Sequence, residues 1–174
     1  LVWLSNVILL PKSVIQYIGD SYTEGYSKDG MITGDDLWYA HASQKAGVDY
    51  TQTSQGGAGF VAESHGKTFG DLLEKGTGKN AKYVVIAGGY NDMYYSYDTI
   101  KNTVYDTVKK AQKLYPQAQV LVAMTGDSVE NRSRFTHVIK AYTDGTKQAG
   151  GTYITNSEYA LNGNKDYFSS DGYH

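Results

Sequence analysis

A serine hydroxyl becomes a nucleophile only beside a base. Ser21, in "YIGDSYTEGY", has one candidate base in His174, the last residue of the sequence. Asp171 stands three residues before it, in "SSDGYH". A carboxylate so placed can hold an imidazole in the right tautomer and stabilise its protonated form. Negative charge developing on an attacked carbonyl needs N–H donors. Gly57, in "SQGGAGF", and Asn91, in "GGYND", offer a backbone N–H and a side-chain amide beside the N–H of Ser21. Each member also has a plainer reading. Ser21-Tyr22-Thr23-Glu24 fits a capping box, Ser-x-x-Glu. Asp171-Gly172 is a common turn pair. Asn91-Asp92 could cap a helix, and Gly56, Gly57 and Gly59 could make a tight turn. His41, His65 and His137 fall in segments that read as helical, as structural or surface residues.

The elements that must position these residues follow from periodicity. Apolar, β-branched runs at 13–19, 82–89 and 118–126 read as strands buried on both faces, with weaker strands at 48–53 and 152–155. Helices are expected over 35–47, 63–76, 97–116 and 130–151. In the third, Ile100, Val104, Val108, Ala111 and Leu114 share one face, Asp98 is the expected cap, and Pro116 ends it. The fourth carries Phe135, Val138, Ile139 and Tyr142 on one face. Strands alternating with helices imply parallel strands joined by right-handed crossovers, in a three-layer α/β/α sandwich. Ligands in such sheets bind beyond the carboxyl ends of the strands. Ser21, the Gly57 loop, the Asn91 loop and the segment with Asp171 and His174 all follow strands.

Composition bounds the function. The 174 residues carry a formal net charge of −2 with no Lys/Arg cluster, which argues against a nucleic-acid partner. Cysteine is absent, so disulfides and thiolate metal sites are excluded. The apolar start "LVWLSNVILL" is shorter than the roughly 20 residues that span a bilayer. Seventeen tyrosines against four phenylalanines suit either a polar cleft or a core with tyrosine at its rim.

Four blocks in order resemble the SGNH (GDSL) hydrolase superfamily: Gly19-Asp20-Ser21 with Gly25, then Gly57, then Gly89-Tyr90-Asn91-Asp92, then Asp171-Gly172-Tyr173-His174. The resemblance runs from about residue 13 to the end and leaves residues 1–12 as an N-terminal extension. It implies a flavodoxin-like α/β/α fold of about five parallel strands in the order 2-1-3-4-5. It also implies acyl transfer without a metal or other cofactor. Ser21 is then the nucleophile, His174 the base and Asp171 its orienting acid, with Ser21, Gly57 and Asn91 as the oxyanion hole. Tyr22 stands where a leucine is usual, and Gln52 or Thr53 where the second block usually has asparagine. Members normally continue past the histidine with a loop and a helix.

A carboxylic ester is the implied substrate, either a small molecule or a glycan ester. Tyr22, Tyr26, Tyr90, Tyr94, Tyr95 and Tyr173 neighbour the blocks and would suit sugar rings, with Tyr22, Tyr90 and Tyr173 as the rim candidates. The favoured reading is a carbohydrate O-acetyl esterase. The alternative is a non-catalytic carbohydrate-binding or adhesion module on the same fold. The wording of the first and third blocks is similar to members from Gram-positive bacteria and their phages, which would suit a secreted or surface role. A dinucleotide site at Gly57-x-Gly59-x-x-Ala62 is disfavoured, because no acid follows about 20 residues later.

Overall fold

The computed structural model of the chain describes residues 13–125, 132–159 and 170. Among the described residues five strands form one sheet in the order β2-β1-β3-β4-β5. They are β1 (Val14–Gly19), β2 (Asp49–Ser54), β3 (Tyr83–Gly88), β4 (Gln119–Met124) and β5 (Thr152–Tyr153). Every pairing is parallel. The helices between them are α1 (Ser21–Glu24), α2 (Trp38–Ala46), α3 (Phe69–Lys75), α4 (Tyr97–Leu114) and α5 (Arg132–Ala149).

Alternation along the strands sorts the core into two layers. Ile18, Val84, Ile86, Val120, Val122 and Met124 point to one face, beneath α3, α4 and α5. Tyr17, Val85, Ala87 and Ala123 point to the other, where α2 packs through Tyr39 and Ala40. The expected three-layer sandwich and its strand order are met.

Local expectations fared unevenly. The helix expected over 63–76 starts only at Phe69. Ahead of it, Ser64 and Lys67 bridge in a tight turn, with His65 and Gly66 at φ of 50° and 69°. His65 therefore sits in a turn rather than a helix. A capping box does exist, but at α3: Thr68 donates its N–H and its hydroxyl to the Asp71 carboxylate, at 2.8 and 2.7 Å. Those two bonds hold Asp71 below the ordinary carboxylate range. At α1 the cap is Asp20, one residue before the expected Ser21. At α4 it is Ser96, not Asp98, because the hydroxyl of Ser96 reaches the N–H of Thr99. Residues 1–12, Tyr173, Asp171 and His174 lie outside the described residues.

The tyrosine excess serves both readings given above. Tyr17, Tyr115, Tyr142 and Tyr153 are core residues whose hydroxyls find Ser43, the Leu73 carbonyl, Asp92 and Glu158. Others reach the surface around the strand ends.

Candidate active site

Register brings the blocks together. Gly19, at the end of β1, pairs with Ser54 of β2 and with Ala87 of β3. The segments leaving these three strands therefore emerge side by side. They enclose a cavity of about 380 Å³ lined by Ser21, Tyr22, Glu24, Tyr26, Gly56, Gly57, Tyr90 and Asn91.

Ser21 is the first residue of α1, directly after the buried cap Asp20. Asp20 fixes the turn by accepting the N–H of Tyr22 at 3.1 Å, while its carbonyl takes those of Thr23 and Glu24. The helix ends after one turn at Gly25, whose φ is 81°. Glu24 does not reach back to its own helix start, as a capping box would require. Its carboxylate accepts the N–H of Gly56, 32 residues away, at 2.9 Å.

That bond separates the three glycines of the second block. The N–H of Gly56 is committed to Glu24, and that of Gly59 to the carbonyl of Ala62. Among the described residues the N–H of Gly57 has no hydrogen-bond partner. Gly57 has a φ of 80°, and an added Cβ would meet Ser64, so only glycine suits the position. Asn91 stands in a 3-10 turn after β3 and donates one amide hydrogen to the Ala58 carbonyl at 2.8 Å. Asn91 also lines the cavity, and among the described residues no acceptor takes its second amide hydrogen.

Sequence reasoning did not assign the role of Asp92. Its fully buried carboxylate accepts the N–H groups of Phe60, Val61 and Ala62 at 2.8, 3.0 and 2.8 Å. It also accepts the Tyr142 hydroxyl at 2.6 Å. Burial, then the charge of Asp92, hold the Tyr142 phenol well above its ordinary value, so it remains a donor. One side chain thus ties the Gly57 loop, the Asn91 turn and α5 together. Gly59 has no room for a Cβ because that atom would run into the Asp92 carboxylate.

Of the tyrosines singled out by position, Tyr22, Tyr26 and Tyr90 line the cavity. Tyr94 and Tyr95 do not; they are 79% and 39% exposed on the next turn. Among the described residues no three His, Asp or Glu side chains cluster at metal-binding range, and no helix is long and apolar enough to cross a membrane.

The family model of the GDSL-like lipase/acylhydrolases matches residues 17–174, nearly the whole chain and all four blocks. The chain belongs to this family. Solved structures agree on the fold. One is a carbohydrate esterase family 2 enzyme with a carbohydrate-binding domain, from Corynascus thermopiles (Myceliophthora fergusii). It has a TM-score of 0.67 and 19% identity over 86% of this chain and 58% of that one. A lipase/acylhydrolase from Enterococcus faecalis gives 0.68 and 16%, over 93% and 86%. An acetyl xylan esterase from the rumen bacterium Butyrivibrio proteoclasticus gives 0.62 and 13%, over 84% and 56%. The chain thus spans less than two thirds of the length of the two carbohydrate esterases. A search of curated proteins gave no match.

Beneath the cavity of this family member lies an electrostatic cost. Asp20 is fully buried, and among the described residues its Oδ2 has no hydrogen-bond partner of ordinary geometry. Burial pushes its carboxyl up to about 7 from an ordinary 3.8, opposed by the N–H of Tyr22 and assisted by nearby Asp92. Between those two values the folded chain keeps a proton that the unfolded chain releases. The stabilising contribution is present in full below the unfolded value of 3.8 and is lost as pH rises toward 7. Asp20→Asn keeps the acceptor for Tyr22 and removes the titration. Unfolding free energies from urea titrations should therefore fall further from pH 5 to pH 8 for the wild type than for Asp20→Asn, by on the order of 2 kcal/mol. Parallel changes in the two proteins would show that Asp20 does not carry this dependence.

Proposed function

We propose that the chain is a serine esterase acting through an acyl-serine intermediate, with an O-acetylated carbohydrate as its substrate. The observation that carries this reading is the convergence of Ser21, Gly57 and Asn91 on one cavity. In the proposed cycle His174 takes the proton of the Ser21 hydroxyl as its oxygen attacks the ester carbonyl. Asp171 orients the imidazole. The oxyanion is held by the N–H groups of Ser21 and Gly57 and by the free amide hydrogen of Asn91. His174 then gives its proton to the departing alcohol, and water repeats the sequence to release the acid.

Two features favour a glycan ester. Tyr22, Tyr26 and Tyr90 in the cavity wall provide apolar faces and hydroxyls that suit a sugar ring. The fold is also that of enzymes described as carbohydrate and acetyl xylan esterases.

Asn91→Ala tests the arrangement. It removes a donor that engages only as charge develops, so kcat should fall roughly 10²- to 10³-fold while KM changes little. Initial rates on p-nitrophenyl acetate and acetate release from acetylated glycans measure this. A loss confined to KM would count against an oxyanion role.

A further inference from the structure

We infer that Glu24 selects the alcohol part of the ester: its carboxylate accepts a hydrogen from the hydroxyl of an uncharged polyol and disfavours an anionic alcohol. This rests on the glycan-ester reading above. Glu24 closes α1, three residues after Ser21, and its side chain lines the same cavity as Tyr22, Tyr26 and Tyr90. The N–H of Gly56 holds one carboxylate oxygen in place at 2.9 Å. A methyl group added to Gly56 would stand 2.7 Å from that oxygen and 3.8 Å from the Ser21 Cβ, so carboxylate and serine flank the same point.

A carboxylate offers about four acceptor positions and no donor. Gly56 occupies one, and among the described residues no Lys or Arg pairs with Glu24. A carboxylate at a cavity wall, with no cation beside it among the described residues, favours a hydroxyl donor and repels an anion. An acetyl group has no donor to give, so the matching hydroxyl must come from the alcohol. The bond to Gly56 makes the acceptor rigid, which limits the entropy lost when substrate binds.

The test compares 2-hydroxyethyl acetate with propyl acetate, esters of equal size that differ by one hydroxyl, on the full chain. Glu24→Gln keeps an amide oxygen for Gly56 but loses the charge. Its ratio of kcat/KM for the two esters should fall on the order of tenfold relative to wild type, mainly through KM. Hydrolysis of acetoxyacetate, whose alcohol part is anionic, should rise severalfold in the same variant. Gly56→Ala, whose methyl displaces the carboxylate, should lower the ratio as well. If Glu24→Gln slows both neutral esters equally, Glu24 only holds Gly56 and the inference is overturned. If acetylated glycans are not hydrolysed but the ratio still drops, the glycan reading fails and the role of Glu24 stands.

Discussion

Ser21→Ala is expected to lower kcat for ester hydrolysis by roughly 10⁴-fold or more while leaving the fold intact. Ser21 is partly exposed at the cavity wall, and the start of α1 is fixed by the N–H groups of Thr23 and Glu24 on the Asp20 carbonyl. Removing the hydroxyl oxygen removes the atom that would form the acyl bond, with little change in packing. Thermal unfolding should shift by a few degrees at most, since the net worth of one partly exposed side-chain hydrogen bond is about 0.5–1.5 kcal/mol. Wild-type rates in the variant would contradict the assignment. The alanine protein is also the proper background for measuring substrate binding without turnover.

The second large effect falls on stability. Asp92→Ala leaves the buried N–H groups of Phe60 and Ala62, the partly buried one of Val61 and the buried Tyr142 hydroxyl without an acceptor. Each such orphan costs about 1–3 kcal/mol, less whatever water enters the gap. A net loss of about 3–5 kcal/mol follows, enough to lower Tm by roughly 10 °C in a chain of this size. Tyr142→Phe removes one donor of the four and should cost only about 1 kcal/mol. Chemical denaturation of both variants checks the ordering. Activity should fall with Asp92→Ala even well below its Tm, because Gly57 and Asn91 lose the group that fixes their spacing. If Asp92→Ala costs no more than Tyr142→Phe, Asp92 is not the tie between the two loops.

The sheet was largely legible in the sequence because its strands are local signals. Continuous runs such as "YVVIAG" can satisfy burial on both faces only as central parallel strands. The blocks were legible for a related reason, since parallel order places every following loop at one edge. What escaped was long-range polar pairing. Ser21-x-x-Glu24 has the spacing of a capping box, yet Asp20 takes the cap and Glu24 binds Gly56. Nothing within ten residues of Glu24 announces that partner. Asp92 likewise read only as part of a possible cap, beside Asn91. Its partners lie 30 to 32 residues before it and 50 after it. The turn before α3 was misread because residues 63–68 are polar enough for an exposed helical turn. The positive φ of His65 is set by the Ser64–Lys67 bridge, not by its own preference. Tyr94 and Tyr95 show the opposite error. Closeness in sequence to Asn91 suggested a place in the rim, but the 3-10 turn carries them past the cavity.

The central claim is that Ser21 is a base-activated nucleophile, and covalent labelling tests it most directly. A fluorophosphonate phosphonylates an activated serine hydroxyl, with loss of fluoride, and leaves ordinary surface serines untouched. Intact mass and peptide mapping of the treated full chain should show one adduct, on the peptide containing Ser21, with loss of esterase activity in parallel. An unlabelled protein that still hydrolyses p-nitrophenyl acetate, or an adduct on another serine that tracks the lost activity, would contradict it.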